Sequence, residues 1–314
     1  MNIKKVLKTV LPLVLGGFLV WYSISKISMD VLIGYFKEAN YSWIALGLFF
    51  GILSHLSRAY RWKFMLEPLG FKPKLTNSVL AVLVGYLVNL ALPRAGEISR
   101  AAVMANYEEI PFEKGFGTIV AERIADLIMM LCIIAITLFV QFDFIYELLT
   151  KNFDPIKISI GLVVVIIGFY IFSSFVKKAK KGFLLKIKTF VSGLVEGVTS
   201  IFKMKNKWAF IFHTVFIWAM YVAMFWATIP AIEGLNVPLG GILIGFIAGG
   251  FSIAATNGGI GLYPIAVAGA LALFDIPTEP ATAFGWIMWT AQTAMIIVFG
   301  GLAFLFLPIY NKNK

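Results

Sequence analysis

The apolar residues of this chain arrive in long runs, at about 8–25, 41–57, 76–92, 116–140, 157–176, 208–232, 239–256, 262–275 and 281–307. A run of roughly 20 such residues matches the hydrocarbon thickness of a bilayer, whereas a soluble surface helix carries only one apolar stripe. Lipid offers no partner to backbone N–H and C=O groups, so runs of this length fold as helices whose hydrogen bonds close internally. Composition agrees, with 60% of the 314 residues hydrophobic and 14% charged, against about 45–50% and about 25% in a soluble domain. The sequence predicts an all-α, polytopic membrane helix bundle of about 6–8 spans, and a soluble enzyme is excluded. Residues 1–314 read as one integral membrane domain with a basic cytoplasmic loop at 177–207.

Charge gives the topology. Lys177 to Lys207 holds nine basic residues against the single acid Glu196, and Arg58 to Lys74 holds five. Both stretches belong on the cytoplasmic side, with Lys4, Lys5 and Lys8 at the N-terminus. No cleavage site follows the first apolar segment, which predicts a retained first helix rather than a signal peptide. From Trp208 to Tyr310 there is no Lys or Arg. An even number of crossings must separate the two basic stretches, yet three apolar segments lie between them. The shortest, 76–92, is therefore expected to enter from the cytoplasm and return near Pro93. Segments 239–256 and 262–275 are also short and flank a glycine-rich break, which favours a second re-entrant element from the outer side. Paired broken segments in two halves point to a transporter site and are compatible with an inverted repeat; short helices packed inside a bundle remain the alternative. Between 183 and 202 apolar residues recur at helical spacing, as in an interfacial amphipathic helix or a cytoplasmic helical hairpin.

The stretch Asn89-Leu-Ala-Leu-Pro93-Arg94-Ala-Gly96-Glu97-Ile-Ser-Arg100 carries the densest chemistry. Arg94, Glu97 and Arg100 are three apart and share one face of a helix begun after Pro93, so each arginine can pair with Glu97. Guanidinium groups grip phosphate in a bidentate fork, and the free N–H groups of a first helical turn favour anions. A phosphate-bearing lipid headgroup fits. A second cluster, Glu122-Arg123-Ile-Ala-Asp126, opens the next long apolar segment, where charges are costly unless paired or wet. Together the clusters read as a polar site; a juxtamembrane network that anchors helix ends is the plainer alternative. Arg58 and Arg61, beside Trp62, suit a secondary headgroup-capture point at the cytoplasmic interface, although any membrane helix can end this way. His55, one turn inside, reads as a hydrogen-bonded core histidine. Asn257-Gly258-Gly259-Ile260-Gly261 reads as a helix break.

Other chemistry is not indicated. Cys132 is the lone cysteine, and His55 and His213 have no Cys or His companions, so no metal site is expected. No cofactor motif, P-loop or nucleophile–base pair is visible. The formal net charge of +11 lies in loops, where it sets topology and does not indicate nucleic acid.

The order Arg58-x-x-Arg61-Trp62, Asn89-x-x-Leu92-Pro93-Arg94-x-Gly96-Glu97-x-x-Arg100, Ala121-Glu122-Arg123-x-x-Asp126 and Gly258-Gly259-Ile260-Gly261 resembles the lysylphosphatidylglycerol synthase transmembrane region. That is the flippase-like membrane half of the multiple peptide resistance factors. The resemblance implies a lipid-translocating domain with Arg94, Glu97, Arg100, Glu122, Arg123 and Asp126 around its polar site. Asn257 and Pro264 stand where the family often has Pro and Glu, so a role for that acid does not carry over. The 314 residues leave no room for the soluble aminoacyl-transferase domain of bifunctional members. The expected function is thus a flippase or transporter for an anionic or polyprenyl-phosphate-linked lipid, not an enzyme, in the cell membrane with both termini cytoplasmic. A membrane glycosyl- or lipid-transferase acting on polyprenyl phosphate, or a non-transporting scaffold, are the alternatives. The expected partners are anionic or phosphate-bearing membrane lipids; the sequence is compatible with a homo-oligomer and with a separate membrane or soluble partner.

Overall fold

A computed structural model describes residues 14–312 apart from 15, 26, 93, 153, 179, 180, 186, 190, 191 and 193–203. The amphipathic pattern read between 183 and 202 falls largely outside these residues, as do Pro93 and the basic start of the first apolar segment. Among the described residues there is no strand. A helical stretch at 16–24 precedes eleven named helices. These are α1 (Met29–Glu38), α2 (Tyr41–Leu66), α3 (Leu75–Ala91), α4 (Ala95–Glu108), α5 (Phe112–Val140), α6 (Phe142–Asn152), α7 (Pro155–Lys178), α8 (Lys207–Thr228), α9 (Leu239–Ala255), α10 (Leu262–Ala272) and α11 (Thr278–Tyr310).

Local chemistry sets the starts. Ser28 caps α1 by accepting the Val31 N–H, and Asn40 caps α2 by accepting the Ser42 N–H, each satisfying one of the donors a helix start leaves open. Among the described residues, four helices are long and apolar enough to cross a membrane: Tyr41–Leu69, Phe112–Val140, Lys207–Ala231 and Thr278–Tyr310. The 24 residues of α7 reach about 36 Å at 1.5 Å per residue, enough to span as well. The chain is a polytopic helical membrane protein. Helices α1 and α6 lie where the sequence shows no continuous apolar run.

The chain divides into two compact units, a division that composition does not show: Met1–Glu122 with Trp208–Lys314, and Arg123–Lys207. In the second, α6 packs against α7. In the first, α3 pairs with α4, α9 pairs with α10, and α11 lies against both α3 and α10, while α2 packs on α3. Phe225 and Phe284 meet edge to face at 5.1 Å among the buried Ile242, Val267, Leu271 and Ile287. The outward faces are apolar too, with Phe49, Phe251 and Phe304 exposed, as lipid contact requires.

Both helix breaks are present. Between α9 and α10, Gly258, Gly259 and Gly261 take φ of 62°, 81° and 68°, the left-handed region in which a Cβ is penalised. Trp289 Nε1–H donates to the Gly258 carbonyl at 2.8 Å, so the break does not leave that acceptor bare. A Cβ on Gly258 would stand 2.9 Å from Leu90 Cδ2; the glycine loop therefore touches the end of α3, where the other break begins.

At the other end of α3, Asn77 and Asn311 exchange side-chain amide hydrogen bonds of 3.0 and 2.9 Å, and Asn77 also donates to Glu108. Asn311 further donates to the Leu307 carbonyl at 2.9 Å. This buried knot ties the start of α3 to the ends of α4 and α11. Asn311→Ala leaves Asn77 buried with fewer partners, which costs about 1–3 kcal/mol. Thermal unfolding in detergent is expected to shift down by several degrees for Asn311→Ala and to be unchanged for the exposed Asn236→Ala.

Candidate functional site

Spacing on α2 places Arg58 and Arg61 on one face with Trp62 beside them. Arg100 reaches the same point from α4, and Glu122 from α5. Glu122 Oε1 accepts from Arg58 Nη1 at 2.6 Å and from Arg100 Nη1 at 3.1 Å, while Oε2 accepts from Arg100 Nη2 at 3.1 Å. Arg61 Nη2 stands 3.5 Å from Oε1. Exposure is 2% for Arg58, 0% for Arg61, 3% for Arg100 and 0% for Glu122. Arginine cannot shed its proton, so these groups stay charged inside an apolar bundle and need an anion within reach.

The surroundings fix each guanidinium. Arg61 Nη1 donates to Thr214 Oγ1 at 2.9 Å, and its guanidinium lies 5.3 Å from the Phe210 ring centre. Arg100 stacks 4.4 Å over Trp62, whose Nε1–H donates to Thr118 Oγ1 at 2.8 Å. Arg58 Nη2 donates to the Tyr221 hydroxyl at 3.4 Å, and that hydroxyl is 3.2 Å from the hydroxyl of Tyr86. A planar fork held this way is set to receive a planar or tetrahedral anion.

The residues read from the sequence fall into three groups. Arg100 and Glu122 are at the centre, but they bond to each other; the sequence paired Arg100 with Glu97. Arg58 and Arg61, read as a headgroup-capture pair, belong to the same cluster and are buried, covered by side chains of α4, α5 and α8. Asn89 has a structural role: its Oδ1 accepts the Gly96 N–H at 2.7 Å, and its amide lies 3.5 Å from Glu97 Oε2. That bond occupies a first-turn donor of α4 that the sequence assigned to an anion. Arg94 is exposed at the N-cap of α4 with φ 61°, one turn from the half-buried Glu97. Arg123 and Asp126 lie in the second unit and pair with each other at 3.6 Å.

His55 differs from expectation. It is buried with a ring centre 4.4 Å from Tyr86, yet neither ring nitrogen has a hydrogen-bond partner among the described residues. Sequence reasoning missed Tyr86, Thr214 and Tyr221, uncharged residues inside apolar runs with no local signal of their own. Trp62, read as an interfacial aromatic, instead carries the Arg100 guanidinium.

Residues 9–301 match the family model described as the lysylphosphatidylglycerol synthase TM region. A UPF0104 membrane protein of Methanocaldococcus jannaschii is 30% identical over 125 residues, which are 39% of this chain and 37% of that protein. The chain thus spans little more than a third of that relative's length. No solved structure matches the chain.

Glu122→Gln keeps the shape of the cluster and removes its central charge. Breaking a buried ion pair costs about 3–5 kcal/mol, so this variant is expected to unfold well below wild type in a detergent thermal scan. The exposed Arg94→Ala is expected to stay within about 0.5 kcal/mol of wild type.

Proposed function

This chain belongs to the lysylphosphatidylglycerol synthase transmembrane region family, and from that membership we propose that it moves an anionic or polyprenyl-phosphate-linked lipid across the cell membrane. The observation that carries the reading is the convergence of Arg58, Arg61 and Arg100 on Glu122 inside an apolar bundle. Charges at membrane depth mark substrate pathways. A phosphate takes the same guanidinium fork as a carboxylate, so an incoming headgroup can exchange with Glu122 for the arginines. Glu122 then acts as the resident anion that holds the cluster together between substrates.

Length supports a path on either side. Helices α3, α4, α9 and α10 hold 17, 14, 17 and 11 residues, which is about 16–25 Å each at 1.5 Å per residue, short of the ~30 Å core. We read α3–α4 and α9–α10 as re-entrant pairs entering from opposite faces and meeting where Leu90 touches the Gly258 loop. Arg94, exposed at the first break, meets the headgroup before the buried arginines do. In this reading the loop at 177–207 and both termini are cytoplasmic, which the basic residues of the loop support through the positive-inside rule. In this reading no covalent bond is made or broken, and the chain is a transporter rather than a transferase.

Transbilayer movement of labelled lipids in proteoliposomes tests it. Wild type is expected to move phosphatidylglycerol or polyprenyl phosphate faster than protein-free vesicles. Arg100→Lys, which keeps the charge and loses the fork, is expected to slow movement by about tenfold or more. Arg94→Ala is expected to slow it only a few-fold, in keeping with a first-contact role. Wild-type rates equal to those of protein-free vesicles across both lipid classes would overturn the proposal.

A further inference from the structure

Helix α6 is the short element between α5 and α7, joined to α5 through the single residue Gln141 and to α7 through residues 153 and 154. Along its 11 residues Phe142, Ile145, Tyr146 and Leu149 fall at i, i+3, i+4 and i+7, which is one stripe of a helix. Asp143, Glu147 and Lys151 fall on the opposite side, and all three are exposed. The apolar stripe is uncovered as well. Phe142, Tyr146 and Leu149 are 63%, 57% and 38% exposed, and the rings of Phe142 and Tyr146 stack on each other at 6.1 Å. Thr150 Oγ1 donates to the Tyr146 carbonyl at 2.9 Å, so the polar side makes no demand on a partner.

Length fixes where this helix sits. The 29 residues of α5 reach about 43 Å at 1.5 Å per residue, already more than the ~30 Å hydrocarbon core. The lipid face of α5 runs to its last turn, where Leu138, Phe139 and Val140 are all exposed. Continued along the axis of α5, α6 would carry two aromatic rings and a leucine farther out into water. The helical run is instead interrupted at Gln141, and a new helix starts at Pro155, where Asp154 Oδ1 accepts the Ile156 N–H at 2.8 Å. Both ends of α6 are thus ends of helices that can span, and its ~16 Å length bridges them at one bilayer surface.

Amphipathic helices with aromatic residues on the apolar side occupy that boundary. Charge then says what holds it there. Surface helices drawn to anionic lipid carry Lys and Arg on the polar face, whereas α6 has two acids against one lysine. Its attraction is to the acyl chains, not to headgroup charge. We propose that α6 lies flat in the bilayer interface, with Phe142, Tyr146 and Leu149 among the upper acyl chains and Asp143, Glu147 and Lys151 in water. With the 177–207 loop cytoplasmic, as proposed above, this is the outer leaflet; the leaflet rests on that topology and the seating does not. Seated so, α6 holds the ends of α5 and α7 at a set depth.

Spin labels on the full chain in phosphatidylcholine vesicles test the seating, in a Cys132→Ser background that removes the lone cysteine. Labels at Tyr146→Cys and Leu149→Cys are expected to meet oxygen more often than a water-soluble nickel chelate, and labels at Glu147→Cys and Lys151→Cys the reverse. The first pair is expected about 5–10 Å below the headgroups, shallower than a label at the exposed Leu131→Cys on α5. Adding phosphatidylglycerol is expected to leave the pattern unchanged. Equal nickel access at all four α6 positions would put the stripe in water, and shielding of 146 and 149 from both reagents would put it against protein; either overturns the seating. A pattern that forms only with phosphatidylglycerol would overturn it too, by making headgroup charge the anchor. In intact cells an impermeant maleimide is expected to reach Glu147→Cys and Lys151→Cys. Reaction only after permeabilisation would overturn the outer placement and the topology beneath it, with the spin-label result left standing.

Discussion

A carboxylate with no exposed surface, gripped by guanidinium groups from two other helices, sets the terms for the first unit. Because an arginine cannot deprotonate, Arg58, Arg61 and Arg100 keep their charge wherever the chain puts them, and Glu122 has to be there to meet it. Arg58 and Glu122 are 64 residues apart in sequence and 2.6 Å apart in space. The ion cluster therefore pins α2, α4 and α5 at one point. An apolar substitute of similar volume often stabilises as well as a buried ion pair does, so such a cluster is poor evidence of a need for stability alone. Under the proposed function its value is affinity for a mobile anion.

The rest of the first unit is arranged to deliver those charges without leaving backbone groups bare. A Cβ on Gly85 would stand 2.7 Å from Arg100 Cγ, and one on Gly96 would overlap the Gly85 carbonyl oxygen. The absence of side chains there is what lets α3 and α4 close together with the arginine stem passing between them. Asn89 then supplies the acceptor that the Gly96 N–H needs. At the second break Trp289 does the complementary task, donating to the Gly258 carbonyl. Each interruption of helix is thus served by a side chain from within the protein, as irregular backbone away from water requires.

Much of this was legible beforehand. Runs of apolar residues are a property of neighbours in sequence, and their length maps directly onto helix length, so the helical membrane class and the placement of α2, α5, α7, α8 and α11 could be read from the chain. The glycine break was legible for a similar reason, since only glycine enters the left-handed region cheaply three times in four residues. Arg58, Arg61, Arg100 and Glu122 were also visible, because charge in an apolar setting stands out. Their partners were not. Helical spacing relates residues three or four apart, so it offered Glu97 to Arg100 and had no means of offering Glu122.

The sequence by itself determined what the chain is made of: membrane helices, two interruptions, and a set of charges that lipid would reject unless they were paired. Tertiary structure decided which charges meet. It drew Arg58 and Arg61 inward to Glu122, left Arg94 outside, turned Asn89 into a cap, and gathered His55, Tyr86, Trp218 and Tyr221 from three helices. Local pattern encodes periodicity and hydropathy, which act along the chain. Pairing across 64 residues depends instead on how helices cross and on where glycine lets them approach, and neither is written in any one segment.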